Sequence, residues 1–225
     1  MALRIYETTR SHWLRNTIII LIVLGLLAAG AYYGYKWYTS GDEPPVPISI
    51  VGASNENEAE LSDTDIASYT VQPLEPRYLT IANLGVDKTR ILPTDFDDNA
   101  ILKLPQNIHD LGWYTKSGTP GSDGVVVING FTKGTSTDAP LSEAGTLDKG
   151  ARITIERGDS KKVVYSVVDV ANYGVEEFNS TISSTLGTPA VSEVEGLNIV
   201  LTSGKWVPRL STYDERLLIR ATIAN

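Results

Sequence analysis

The segment GLNIVLTSGKW, residues 196–206, alternates apolar side chains as far as Leu201 and then breaks into Thr202-Ser203-Gly204. A serine at the end of a buried strand stands where a nucleophile would stand, yet its hydroxyl attacks a carbonyl only when a neighbouring base takes the proton. Otherwise it is a turn residue, or what remains of a nucleophile. Few bases are on offer. Lys205 lies two residues on and would complete a Ser–Lys dyad if desolvated, or else is a solvated charge at a strand end. His12 and His109 are the two histidines; His109 precedes the DLGWYTKSG segment and either approaches a cleft or occupies a turn. Arg216, in TYDER, would polarise a carbonyl and support slow hydrolysis at Ser203 if it faces a cleft. If not, it pairs with Asp214 or Glu215. Trp206 either walls a groove or covers an open end of the fold.

Several chemistries are excluded. The chain has no cysteine, which removes disulfides, thiolate metal sites and thiol catalysis. Two histidines are too few for a histidine metal cluster in the folded part. A net charge of −8 lacks the basic stripe that a nucleic-acid surface needs. Asp95, Asp97 and Asp98 share the run TDFDDN, an oxygen set of the kind Ca²⁺ takes, but without the spacing, glycine or bidentate glutamate of an EF-hand loop; a solvated acidic loop is the simpler account. Asn179-Ser180-Thr181 fits the N-glycosylation tripeptide, a pattern of little weight alone.

The elements that must position these residues begin after an unusual N-terminus. Residues 16–35, NTIIILIVLGLLAAGAYYGY, carry no charge and match the roughly 20 residues that cross a bilayer as a helix. Arg4, Arg10 and Arg15 precede the stretch, whereas the chain from Lys36 onward carries 16 basic and 26 acidic residues. The positive-inside rule then keeps the N-terminus cytoplasmic. Trp13 before the stretch, and Tyr32, Tyr33, Tyr35, Trp37 and Tyr38 at its exit, match aromatic belts. A cleaved signal peptide is the alternative, but the apolar run is long for one and aromatics fill the place of a small-residue cleavage site. The organisation expected is a cytoplasmic tail at 1–15, a signal-anchor helix at 16–38, a stalk at 39–72 and a folded domain at 73–225 outside the cytoplasm. The stalk holds seven acidic and no basic residues, with Pro44, Pro45 and Pro47, a composition that buries too little apolar surface to offset its ordering entropy.

From Pro73 the segments 77–93, 100–106, 110–118 and 124–131 are short, β-branched and aromatic, and bounded by Gly, Pro, Asn and Asp. Residues 151–174 predict two strands joined across Gly158-Asp159, and 176–186 a short helix or irregular crossover. Strands at 196–202 and 215–223 follow. This spacing predicts an all-β sandwich or barrel.

The order of these blocks resembles the sortases, membrane-anchored cysteine transpeptidases of bacterial surfaces. The resemblance runs through PRYLTIANLGVD, DLGWYTKSGTPGSDGVVVING, LNIVLTSGKW and TYDERLLIRA, and takes in the anchor and stalk. It implies an all-β, sortase-like closed barrel of about eight strands with short helical connections, preceded by one transmembrane helix. In active sortases the Val-rich strand ends in Gly-His, the late strand ends in Thr-Cys, and an arginine follows. Here Gly130-Phe131 falls at the first position, Thr202-Ser203 at the second, and Arg216 at the third. A phenyl ring neither gives nor takes a proton, and serine without a base is a poor nucleophile. The resemblance therefore implies a catalytically degenerate member whose groove, with Thr202 and Trp206 as candidate lining, binds an extended peptide or a surface protein. A residual serine-based transpeptidase or hydrolase using Lys205 or His109 is one alternative, and a structural barrel plugged by Phe131 is another. No cofactor is implied; some sortases bind calcium, but no such site maps onto this chain.

Overall fold

The computed structural model describes residues 13–42, 57–97 and 102–224, which fall in two compact units. The first contains helix α1 (Trp13–Ser40), which buries none of its side chains. It is long and apolar enough to cross a membrane, and extends a few residues beyond the expected 16–38 at both ends. Its last turn is closed by hydroxyls: Thr39 donates to the Tyr35 carbonyl at 2.9 Å and Ser40 to the Lys36 carbonyl at 2.9 Å. Gly41 then takes φ +68° while its N–H reaches the Trp37 carbonyl at 2.9 Å, a left-handed stop that glycine adopts without a Cβ clash.

In the second unit eight strands close on themselves. They are β1 (Pro76–Ile81), β2 (Val86–Thr94), β3 (Leu111–Tyr114), β4 (Val125–Phe131), β5 (Arg152–Arg157), β6 (Lys162–Gly174), β7 (Gly196–Val207) and β8 (Thr212–Ile223). The order around the barrel is β1-β2-β3-β4-β7-β8-β6-β5, and β5 pairs with β1 to complete it. The β2–β3 and β4–β7 pairs are parallel and the rest antiparallel. Alternate residues point inward: Leu79, Ile81, Ile91, Val126, Ile128, Ile153, Ile155, Tyr165, Leu197, Ile199, Leu201 and Ile219 fill the interior. β4 is buried along its whole length, because β3 and β7 flank it and its outer face is covered too. That is why VVVING shows no polar alternation.

The expected hairpin at 151–174 is present as β5 and β6. Residues 175–186 form a run of short helical turns, beginning with α-helical Val175–Glu177. Phe178 of this run packs on the outer face against Val200 and Leu218, with Tyr173, Ile182 and Leu186 around them.

Two expectations are corrected. The segment 100–106 is not a strand among its described residues; only Leu102 pairs, in an isolated bridge with Phe96. Pro105 has no N–H for a ladder, and the Lys103 carbonyl instead accepts from the Thr94 hydroxyl at 2.8 Å and the Asn129 amide at 2.9 Å. The stalk expected over 39–72 is also too long, for residues 57–72 lie on the barrel as a strap. Asn57 bridges to Asn107, and the Asn107 amide donates to the Ala59 carbonyl at 2.9 Å. A short helix, α2 (Asp63–Ser68), starts from a capping box in which Ser62 and Asp65 satisfy each other's N–H. Beyond it the Tyr69 hydroxyl donates to the Ile91 carbonyl at 2.6 Å, and Arg77 Nε donates to the Tyr69 carbonyl at 2.7 Å. Composition missed this because polar bonds, not apolar area, hold the strap. The part of the stalk at 43–56 lies outside the described residues.

Glu58 is the strap's ionic anchor. Its carboxylate accepts from the Thr135 N–H and from the N–H and hydroxyl of Ser136. Burial pushes its pKa upward, but those bonds outweigh burial and hold it below the ordinary 4.5. A carboxylate depressed on folding stabilises the docked strap above about pH 4.5, and that contribution is lost as pH falls through the lower folded value. Protection of the amides over residues 57–69, corrected for the intrinsic pH dependence of exchange, should therefore fall in Glu58→Gln at pH 7, and in the parent protein as pH drops below that value, while the core strands stay protected. Unchanged exchange in the strap would remove Glu58 from this role.

Candidate functional site

The residues singled out in the sequence meet where β4, β7, β8 and β6 lie side by side. Phe131 is opposite Thr202, Thr202 is opposite Arg216, and Arg216 is opposite Tyr173. Alternation decides which face they share. Leu197, Ile199 and Leu201 fill the barrel, so Thr202 points out with Val200. Val126 and Ile128 fill it from β4, so Phe131 points out, and Leu218 of the outer cluster places Arg216 there too. Four side chains thus form one row across the outer face.

Ser203 falls on the other side. It follows the inward Leu201, and its hydroxyl approaches Asn172 Oδ1 at 3.4 Å, where Asn172 stands opposite the core residue Leu217. Among the described residues this is the hydroxyl's one hydrogen-bond contact, and an amide oxygen is no general base at neutral pH. The next residue explains why the strand bends here. Gly204 has φ +82°, and a Cβ on it would collide with the Asp214 carboxylate, which accepts the Lys205 N–H at 2.6 Å. The β7–β8 register shifts between Ser203 and Trp206.

Phe131 is 1% exposed and packs with Ile108, Ala139 and Tyr213. Trp206 borders this cluster, edge-on to Tyr213 at 5.5 Å and 80°. Thr202 is 2% exposed; its carbonyl accepts from Thr132 N–H and Oγ1 at 3.0 and 2.9 Å, while its own hydroxyl has no partner among the described residues.

Arg216 is mostly buried and donates only to neutral groups. Nη1 donates to the Tyr213 and Glu215 carbonyls at 2.9 and 2.8 Å, and Nη2 to the Thr212 hydroxyl at 2.8 Å. The ion pair with Asp214 or Glu215 considered from the sequence is absent: among the described residues the salt bridges are four and none includes Arg216. Burial pushes its pKa down to about 10, against a smaller upward effect of Asp214. The guanidinium remains a cation at neutral pH.

The remaining candidates lie apart. Lys205 is exposed, and an exposed ammonium lacks the desolvation that would make it a base. His109 donates its backbone N–H to Asn107 Oδ1 at 2.8 Å, and Nε2 lies 3.4 Å from the Glu58 carbonyl. Its ring lines an open pocket of about 330 Å³ between the strap and β2, with Leu61, Val86 and Arg90. Its neighbour Ile108 belongs to the apolar cluster that holds Phe131. Asp95 is held by Lys116 at 2.9 Å, Asp98 lies outside the described residues, and no group of three His, Asp or Glu among the described residues is arranged to hold a metal. Asn172 and Tyr173 were not anticipated, although strand alternation from Leu201 already separates Thr202 from Ser203.

No protein-family model matches the chain, and no curated protein does. Among solved structures the chain is similar to sortases. A Clostridium perfringens sortase D5 transpeptidase is 14% identical, with 73% of this chain and 90% of that one covered at a TM-score of 0.47. A sortase E variant from Streptomyces avermitilis is 15% identical, with 69% and 91% covered at 0.48. A sortase C from Clostridium perfringens is 14% identical, with 90% and 89% covered at 0.46.

The two faces of β7 are distinguishable by thiol labelling, which the absence of native cysteine makes clean. Ser203→Cys should react with an external maleimide about tenfold or more slowly than Lys205→Cys, because a buried thiol is shielded and its ionisation suppressed. Equal rates would show that residue 203 faces solvent.

Proposed function

We propose that this chain is a sortase-like protein anchored in a bacterial cell membrane by α1, N-terminus inside, whose barrel outside the cytoplasm binds an extended peptide or surface protein without cleaving it. The observation that carries this proposal is the separation of Ser203 from the row formed by Phe131, Thr202 and Arg216. Acyl transfer needs nucleophile, base and oxyanion donor around one carbonyl. Here a phenyl ring stands where the resemblance calls for the base, and the serine turns away from the arginine. Loss of a general base alone costs about 10²–10⁴-fold. Extended segments are recognised by side-chain pockets as well as by backbone bonds, and binding of that kind needs neither nucleophile nor base.

Phe131 also favours a second reading. Its complete burial against Ile108, Ala139 and Tyr213 suits a structural barrel in which an apolar plug has replaced the groove.

The test is mass-spectrometric detection of peptide cleavage and acyl transfer, with the full chain in lipid nanodiscs, sorting-type peptides and an added amine. The parent protein should turn nothing over. The double substitution Ser203→Cys, Phe131→His should stay inactive too, because the new thiol and imidazole would lie on opposite sides of the strand rather than within the 2.6–3.2 Å or so that proton transfer needs. Turnover by the parent protein would overturn the proposal, and turnover by the double variant alone would show that the Ser203 bend reorients. Peptide binding without turnover supports the proposal; no binding favours the structural barrel.

A further inference from the structure

One stretch of the barrel keeps an open strand edge. The side of β2 towards β1 is paired between Val86 and Arg90, whereas on the other side β3 begins to pair only at Ile91. Main-chain groups alternate between the two sides of a strand, so those of Val86–Thr89 that turn away from β1 meet no strand. Among the described residues no loop bonds to this stretch either. The one side chain that does belongs to β1 itself, where Thr80 Oγ1 accepts the Lys88 N–H at 3.3 Å. Asp87 and Lys88 are exposed, so solvent reaches this edge. Unpaired main-chain donors and acceptors along an exposed edge are a template for a further strand.

Three further features gather at the same place. An extra residue of β2 stands between the Leu79–Thr89 and Ile81–Val86 pairs, and Lys88 has φ +50°. That backbone is uncommon for a residue with a Cβ, and bulges and strained positions cluster where proteins hold ligands. The open pocket between the strap and β2 lies directly alongside, with Gly85–Arg90 on one side and Leu61 and Ile66 of the strap on the other. Leu84 and Pro140 add apolar surface to it. Charge then selects the partner. Arg90 is already matched by Asp110, which accepts its Nε and Nη2 at 2.8 Å each. The carboxylates of Glu60 and Asp87 remain against the single ammonium of Lys88, and none of the three is in a salt bridge among the described residues. The local surplus is negative, as is the whole chain at −8, so both favour a basic partner.

We propose that the free edge of β2 over Val86–Thr89, with the pocket beside it, takes an extended segment of a partner polypeptide that carries an apolar residue next to a lysine or arginine. Main-chain bonds to β2 hold the segment as an added strand. Its apolar side chain enters the pocket against Leu61, Ile66 and Pro140, and its cation lies beside Glu60 and Asp87. The proposal rests on the peptide-binding reading above and gives it a place away from the Phe131–Thr202–Arg216 row. Because Leu61 and Ile66 belong to the strap, the site is complete only while the strap is docked.

The experiment presents two pools of peptides, capped at both ends, to the full chain in neutral-lipid nanodiscs. Both pools have a central leucine in randomised sequence; one flanks it with lysine and the other with glutamate. Bound peptides are identified by mass spectrometry, and enriched sequences are titrated singly by calorimetry. Lysine-flanked peptides should bind about tenfold or more tightly than their glutamate twins, and the double substitution Glu60→Lys, Asp87→Lys should abolish that preference. Methylating single peptide nitrogens should weaken binding by about two- to tenfold at alternate positions and leave the positions between unaffected, as loss of a strand hydrogen bond predicts. Hydrogen exchange on the parent protein, which needs no variant, should slow at residues 86–89 and in the strap when peptide is bound. Protection confined to other strands would overturn this site and leave peptide binding itself intact. Equal affinity for the lysine and glutamate twins would overturn the basic partner, and indifference to every N-methylation would overturn the added strand. Enrichment of neither pool would overturn this site and the peptide-binding reading together. A concentration-dependent dimer that protects residues 86–89 would assign the edge to a second copy of the chain and overturn the proposal.

Discussion

The period of two along β7 constrains everything else at the site. Leu197, Ile199 and Leu201 face inward and pack with the main barrel core. Once they do, Thr202 is committed to the outer face and Ser203 to the inner one. The parallel partner β4 and the antiparallel partner β8 then carry Phe131 and Arg216 to the outer face beside Thr202. No local preference of Ser203 can reverse this without shifting the whole strand, since a one-residue slip would turn Ile199 out of the barrel core and Thr202 into it. The bend at Gly204 comes too late to help, because the register changes only after Ser203.

The same face shows how burial and charge divide the work between residues. Phe131 gains from complete removal from water, an effect of about 1.5–3 kcal/mol for a side chain of this kind. Arg216 gains nothing from burial and must be compensated by donors' partners. Three neutral acceptors supply part of that compensation; burial lowers its pKa only to about 10, so the positive charge persists through neutral pH. A buried cation compensated by dipoles alone is a weak element of stability.

Much of the architecture was legible in the sequence because it rests on local periodicity. The uncharged run ending at Tyr35, the Gly158-Asp159 hairpin and the short β-branched segments each carry their own signal. The segment 100–106 did not fit, because its strand-like composition is overruled by Pro105 and by side chains that capture the Lys103 carbonyl. The strap at 57–72 was illegible for a different reason. Its acidic, polar composition describes a disordered tail equally well, and only the positions of Thr135, Ser136, Asn107 and Ile91 in the folded barrel give those polar groups partners. At the site, residue types were legible and their directions were not. Aligning Thr202-Ser203 on a motif places Ser203 in a cleft, whereas counting from the core residue Leu201 turns it inward.

The strap and the row are mechanically one region. Asn57 accepts the Ile108 N–H through its carbonyl at 3.0 Å, and Ile108 packs directly on Phe131. Glu58 grips the loop at Thr135 and Ser136, and Ala139, just beyond that loop, closes the other side of the same ring. The two supports of Phe131 are therefore tied to consecutive residues of the strap. The apolar filling of the row thus adjoins the docked strap, whose Asn57 and Glu58 reach it through the Ile108 backbone and through the loop that precedes Ala139.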